Sequence, residues 1–365
     1  MQRAIFFMAA ALLLTVSSPA FAEQARDAWI ETATVAGSGE GISQRSFDVS
    51  GNAIVAGASS ENDNTGAVYV FTRTPKGWVE SARLTASDAT TGAGFGRSVA
   101  ISGDTIVAGS WGSAYVFSHN GYGWVESAIV SDPDAFGFGS SVDISGDTIV
   151  ANSFSGPMYV FEHTSGDWVE SARLETPSGG VFDSESISGD TIVAGAFYED
   201  YYTGAAYVFT RTPDGWAQPA RLTASDGFEF QAFGYEVDVS AGAMVVGAPT
   251  DYVGAGKAYV FTHTPSGWIE TAILESDCDD CLLAFSVGIS DGTVVSTAEV
   301  FSGVGSAYVF SRSPSGRWVE TDRIKAFDAD TYFGNRVVIS DNTILAGDWN
   351  DDVEGHLHVF TRAGR

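Results

Sequence analysis

Residues 69–84 read YVFTRTPKGWVESARL, and the C-terminal residues 358–365 read HVFTRAGR. The second stretch starts like the first and stops after Arg362, before any counterpart of GWVESARL. Five further copies run on in full, among them FTRTPDGWAQPARL from Phe209 and FTHTPSGWIETAIL from Phe261. The missing piece lies at the other end of the chain as AWIETATV, Ala28 to Val35, where Trp29 and Glu31 match Trp78 and Glu80. A repeat split between the two ends of a chain implies a closed ring.

The period supports a ring of blades. Tyr69, Tyr115, Tyr159, Tyr207, Tyr259, Tyr308 and His358 are spaced by 46, 44, 48, 52, 49 and 50 residues. That is the length of a four-stranded propeller blade. Apolar residues alternate or form short β-branched blocks, with no sustained helical period. In each repeat a strand such as RSVAIS (97–102) leads through a Gly-Asp turn to TIVAGS (105–110). A variable loop then leads to AYVF, and a Pro/Gly turn leads to WVESARL. The sequence thus predicts an all-β, seven-bladed β-propeller of four-stranded antiparallel blades, with the N-terminal strand completing the last blade. The blades fall at about 43–86, 95–131, 138–175, 181–224, 233–276, 283–326, and 333–362 plus 27–35. Full closure of this kind leaves no open end.

Bulk properties narrow the function. Arg3, an apolar stretch over 4–15 and Ala20-Phe21-Ala22 compose a secretory signal peptide, residues 1–22, cleaved near Ala22. The mature chain, 23–365, is expected in the periplasm or outside the cell, monomeric, with no membrane insertion. A net charge of −28 argues against nucleic acid as a partner. The two cysteines, Cys278 and Cys281, are expected to form a local disulfide, since flanking acids disfavour a redox thiol and zinc would need more ligands.

The stretches FGRSVAISGDTIVAGS (95–110) and FGYEVDVSAGAMVVGAP (233–249) resemble FG-GAP repeats, the units of the integrin α-subunit propeller and of bacterial secreted proteins. The resemblance spans the mature chain. Phe-Gly recurs at Phe95-Gly96, Phe138-Gly139, Phe233-Gly234 and Phe333-Gly334, and reads as replaced at Ser43-Gln44, Val181-Phe182 and Leu283-Ala284. The metal-binding form of the family carries a D-x-D-x-D-G loop between the first two strands. Here that place holds Ser-Gly-Asp-Thr, so integrin-type calcium loops are expected to be absent.

Strand order puts the near-invariant turns on one face and the variable loops on the other, which is where a specific site is expected. The loop face is acidic and aromatic. Tyr201, Tyr202, Tyr252, Trp349, Asp351 and Asp352 are the candidate ligand-binding residues, because exposed rings beside carboxylates suit protein hot spots or sugars. Asp132/Asp134 and Asp328/Asp330 are D-x-D pairs able to share a Ca²⁺ on this face. A basic residue after each repeat's Phe (Arg73, His119, His163, Arg211, His263, Arg312, Arg362) is expected to pair with the strand Glu or stack on the strand Trp. No H-E-x-x-H or G-x-S-x-G motif occurs. The resulting expectation is a non-enzymatic recognition or adhesion scaffold for a protein or glycan on a cell surface. The alternatives are a propeller lectin with one composite site and, third, a glycan-cleaving hydrolase or lyase using loop-face acids.

Overall fold

The computed structural model describes residues 28–39, 41–43, 45–154, 156–177, 179–217, 219–249, 256–277, 281–300, 305–325, 332–349 and 355–363. β1 (Trp29–Val35) precedes the first blade, which holds β2 (Phe47–Ser50), β3 (Ala53–Ala58), β4 (Ala67–Thr74) and β5 (Gly77–Leu84). Blade 2 holds β6 (Ser98–Ser102), β7 (Thr105–Gly109), β8 (Ala114–His119) and β9 (Trp124–Val130). Blade 3 holds β10 (Val142–Ser145), β11 (Thr148–Ala151), β12 (Met158–Thr164) and β13 (Asp167–Leu174). Blade 4 holds β14 (Ser184–Ser188), β15 (Thr191–Ala196) and β16 (Ala205–Thr212), with its outer strand in two pieces, β17 (Gly215–Trp216) and β18 (Ala220–Leu222). Blade 5 holds β19 (Val237–Ser240), β20 (Ala243–Ala248), β21 (Lys257–Thr264) and β22 (Gly267–Leu274). Blade 6 holds β23 (Cys281–Ser290), β24 (Thr293–Val300), β25 (Ser306–Arg312) and β26 (Trp318–Ile324). Blade 7 holds β27 (Tyr332–Ser340), β28 (Thr343–Trp349) and β29 (His356–Arg362).

β1 completes blade 7: the strand order there is β1-β29-β28-β27. It does so with the repeat's own geometry. In blade 1, Val70 faces Ala82 and Phe71 faces Glu80, so Ser81 is an extra residue whose hydroxyl donates to the Val70 carbonyl at 3.1 Å. In blade 7, Val359 faces Ala33 and Phe360 faces Glu31, and Thr32 donates to the Val359 carbonyl at 3.2 Å. The bulge bends the outer strand, and β1 keeps it.

Between blades lie seven apolar clusters, each drawn from two neighbours. In the second, Val55, Val68, Val70 and Leu84 of blade 1 meet Phe95, Ile101, Tyr115 and Phe117 of blade 2. The Tyr and Phe of YVF face the preceding blade and the Val between them faces the next, as strand alternation requires. Trp29 packs into the cluster between blades 6 and 7 and Val35 into the one between blades 7 and 1. β1 thus joins both of blade 7's interfaces.

Close backbone approach explains the glycine that ends the second strand. A Cβ on Gly57 would lie 1.8 Å from the Gly96 carbonyl of the next blade. Polar stitches add to this. Ser50, Ser102 and Ser145, each just before its tight turn, accept the N–H of Gly103, Gly146 and Gly189 in the next blade, at 3.2, 3.0 and 3.0 Å. Outside, Glu80, Glu126 and Glu270 each accept two hydrogen bonds, from the N–H and hydroxyl of Ser38, Ser87 and Ser225. That leaves the recurrent basic residue to stack: His119, His163 and His263 lie 5.1 Å from Trp124, Trp168 and Trp268, and Arg211 and Arg362 lie over Trp216 and Trp29.

The Phe-Gly register shifts at two blades. Ser43 donates to the Gly57 carbonyl and Asp183 to the Gly195 carbonyl, as Gly96 donates to Gly109. Ile42-Ser43 and Phe182-Asp183 therefore occupy the Phe-Gly place, rather than Ser43-Gln44 and Val181-Phe182. Phe182 packs on Tyr207 and Phe209 just as Phe95 packs on Tyr115 and Phe117.

Deleting residues 23–35 should lower the melting temperature by about 10 °C, since two buried apolar side chains are worth about 4 kcal/mol and the strand's hydrogen bonds go with them. Calorimetry on the truncated protein checks this, and an unchanged melting curve would contradict closure by β1.

Candidate functional site

Two features stand out on this frame: an acidic channel along the axis and the loop face at one end of it. The first strands of the blades line the channel, a cavity of about 570 Å³. Six carboxylates reach it, from Asp48, Asp143, Asp183, Glu185, Glu236 and Asp238, against Arg45 and Arg336.

Three of these acids occupy the same strand position in alternate blades, and each has a structural task. Asp48 accepts the N–H of Val49 at 2.7 Å and of Ile101, in the next blade, at 2.8 Å. Asp143 does the same with Ile144 and Ile187 at 2.7 and 2.8 Å, and Asp238 with Val239 and Ile289 at 2.9 and 2.6 Å. The innermost strand of a blade is a sheet edge, and these carboxylates satisfy N–H groups that no strand reaches. Glu185 accepts from Asn152 at 3.3 Å, and Glu236 accepts from Ser286 at 3.2 Å.

Enclosure by protein raises the pKa values of this set. Loss of hydration, with the neighbouring Asp143 charge, pushes Asp48 up to about 7. Asp143 rises to about 6 and Asp238 to about 7, both chiefly by loss of hydration. The same cause raises Asp183 and Glu185 to about 7 and raises Glu236, against the pull of Arg336 on the two glutamates.

A second acid set sits under the loop face, where the YVF tyrosine hydroxyls of blades 1 to 5 meet a carboxylate, while Tyr308 of blade 6 bonds Ser276. Tyr69 bonds Glu61 at 2.6 Å, Tyr115 bonds Asp88 at 2.6 Å, Tyr207 bonds Glu199 at 2.8 Å and Tyr259 bonds Asp226 at 2.6 Å. Asp132 belongs here. It is buried, pairs with Arg173 at 2.9 Å and bonds Tyr159, while its other oxygen accepts the Asp134 N–H. The Asp134 bond, with Tyr159 and Arg173, holds its carboxyl below the usual range. In blade 7 His358 replaces the tyrosine between Glu31 at 2.8 Å and Asp348 at 3.2 Å. Burial opposes its charge, but these two acids raise its pKa above 6.5.

Of the remaining expected site residues, Tyr201 and Tyr202 stand on the loop face, 79% and 37% exposed. They follow Glu199 in a turn where Asp200, Tyr201 and Tyr202 have φ of 48°, 55° and 61°. Rings run on from them: Phe230 to Tyr202 (5.9 Å), Tyr202 to Tyr198 (5.2 Å), Tyr198 to Phe197 (4.0 Å), Phe197 to Tyr235 (5.1 Å) and Tyr235 to Phe285 (5.2 Å). The last two rings line the channel, so the array leads from the rim of blade 4 to the channel mouth. Tyr252, Asp351, Asp352, Asp328, Asp330 and Cys278 lie outside the described residues, as do the side chains of Trp349 and Cys281. Among the described residues no three His, Cys, Asp or Glu side chains group as metal ligands, and no helix is long and apolar enough to cross a membrane.

Residues 78–121 and 216–261 match the family model of the FG-GAP repeat. The chain carries FG-GAP repeats. No curated protein matches the sequence. Among solved structures, the Cps50 (Swd1) β-propeller domain of Myceliophteria thermophila aligns over 92% of this chain and 99% of its own, at 12% identity and a TM-score of 0.63. A chain of the mitotic checkpoint complex aligns over 100% and 99%, at 14% identity and 0.63. The computationally designed Ika8 protein aligns over 89% and 98%, at 14% identity and 0.52. These likenesses are of fold alone.

The FG-GAP ring should gain stability on mild acidification. The channel acids have folded pKa values raised above those of the unfolded chain, so their favourable contribution is complete below about pH 4 and is lost as the pH rises through about 6 to 7. His358 acts in the same sense above 6.5. Asp132 and Asp348, with lowered values, oppose this only in strong acid. Melting temperature should therefore rise from about pH 8 to about pH 5. Glu185→Gln should raise it at the higher pH and leave it unchanged at the lower. A flat profile in the parent protein would refute the enclosure of the channel acids.

Proposed function

We propose that the protein is an exported, non-enzymatic recognition scaffold that engages a protein or cell-surface partner through its loop face. One internal comparison carries this reading. The turn that presents Tyr201 and Tyr202 recurs in blade 1, where Asn62, Asp63 and Asn64 have φ of 51°, 57° and 59°. In both turns the leading glutamate, Glu61 or Glu199, bonds the YVF tyrosine and an arginine, Arg83 or Arg221. The backbone and its anchor are the same, yet blade 1 carries Asp63 and Asn64 where blade 4 carries tyrosines. The turn does not need the rings for its own stability. Three consecutive non-glycine residues in the left-handed region cost about 1 kcal/mol or more each, and here that conformation holds Tyr201 out in solvent. Large rigid rings of this kind dominate binding energy in protein interfaces.

Labelled mature protein applied to cell surfaces and to a glycan array, with calcium and with chelator, tests the reading. Tyr201→Ser should weaken binding by about tenfold or more without lowering the melting temperature, while Asp63→Ser should bind like the parent. Equal binding by Tyr201→Ser would overturn it. Export rests on the leader composition, and N-terminal sequencing of protein recovered outside the cytoplasm should begin near Glu23. Full-length protein confined to the cytoplasm would reject it.

A further inference from the structure

Blades 2 and 3 carry a second feature on the loop face, remote in sequence from the tyrosine turn. Arg97 immediately precedes β6, the first strand of blade 2, and is half-buried. Its guanidinium carbon lies 3.6 Å from the centre of the Trp111 ring and 5.1 Å from that of Phe154. Its Nε and Nη1 atoms are buried with no hydrogen-bond partner among the described residues. Among the described residues no carboxylate pairs with it, and loss of hydration lowers its pKa. Arg83, Arg173, Arg211, Arg221 and Arg323 have carboxylate partners. Arg336 and Arg362 also leave Nε unpartnered, but each donates another guanidinium hydrogen bond, to the Arg45 carbonyl at 3.0 Å and the Thr293 hydroxyl at 2.9 Å. A buried cation left unpaired is costly unless something else supplies the counter-charge.

The rings around Arg97 are exposed and firmly mounted. Trp111, Phe136 and Phe154 are 51%, 69% and 47% exposed. Trp111 and Phe154 centres are 5.4 Å apart, and Phe154 and Phe136 centres 6.3 Å apart, each pair tilted. The Trp111 backbone N–H donates to the Ala93 carbonyl at 2.8 Å and the Phe154 backbone N–H to the Phe136 carbonyl at 3.1 Å, which ties the loops that carry these rings to their neighbours. Gly137, at φ 73°, makes room: a Cβ there would lie 2.5 Å from the Phe154 ring.

We propose that this pocket binds a uronate, an acidic sugar whose carboxylate pairs with Arg97 while its pyranose face lies on the exposed rings. The planar guanidinium fork suits a carboxylate. Aromatic faces suit the C–H side of a sugar ring. One cation in a protein of net charge −28 favours a singly charged group over a phosphate or a sulfate-rich chain. The proposal rests on the reading of the loop face as a recognition surface, but the Tyr201 assay reports on another blade, so either can fail alone.

The test is calorimetric titration and ligand-observed NMR of the mature protein with trigalacturonate, in about 0.15 M salt to screen long-range repulsion. The comparison ligands are neutral galactotriose, a sulfated galactotriose and triglutamate. Trigalacturonate should bind at least about tenfold more tightly than galactotriose, the strength of a charge-assisted pair. Arg97→Gln should remove that advantage while leaving the melting temperature unchanged or higher, because it removes an uncompensated charge. Arg97→Lys should keep part of it, which guards against a folding defect in the first variant. Trp111→Ala should weaken both sugars. Equal affinity for acid and neutral sugars, tighter binding of triglutamate or the sulfated sugar, an unchanged Arg97→Gln, or no binding of any ligand would each overturn the proposal.

Discussion

A blade has two sheet edges, and the ring exists only because every one of them is dealt with. The outer edge of blade 7 would be β29 if the chain supplied nothing more. β1 covers it, with the bulge and hydroxyl contact seen in blade 1 and a Trp more deeply buried than its counterparts in the other blades. The inner edges cannot be paired, since first strands face one another across the axis. Asp48, Asp143 and Asp238 answer that problem by reaching to N–H groups of the next blade. Lining the channel with acids is then a by-product of satisfying backbone, and the raised pKa values follow chiefly from taking those carboxylates out of water.

The closure was legible because its signal is local and redundant. Trp29 and Glu31 fall in the same places as Trp78 and Glu80, and a strand displaced by the full length of the chain keeps its pattern. The tyrosine–acid pairs were not legible, because their spacing is not fixed. Tyr115, Tyr159 and Tyr259 take their acid from a Ser-Asp in the preceding interblade loop, at Asp88, Asp132 and Asp226. Tyr69 and Tyr207 take it from eight residues upstream, at Glu61 and Glu199. The two sources are complementary: blade 1 has Gly39 in the aspartate's place, where a Cβ would lie 2.1 Å from the Tyr69 hydroxyl. A reader who aligned Ser38-Gly39 with Ser87-Asp88 had the signal in hand. The same pairing gives Asp132 of the Asp132/Asp134 pair a partner in Arg173.

The channel acids also left a trace. An aspartate recurs in FDVS, VDIS and VDVS, at a position filled elsewhere by Ala100, Ser186, Gly288 and Val338. Sequence alone shows only an acid within an apolar strand. That it points to the axis, and bonds the neighbouring blade, depends on curvature that no single repeat contains.

Repetition also separates structure from recognition. A residue present in every blade is explained by the ring. What needs another explanation is a departure that the ring does not require. Tyr201 and Tyr202 depart from blade 1's equivalent turn, and Arg97 lies between exposed rings with two buried guanidinium nitrogens that find no partner among the described residues. Both departures face the loop side, on blades 4 and 2. A closed ring can tolerate them there because its stability resides in the clusters between blades, whose members these side chains are not. The fold thus frees its loop face to vary, and the unpaired groups on that face are where a partner's chemistry would be read.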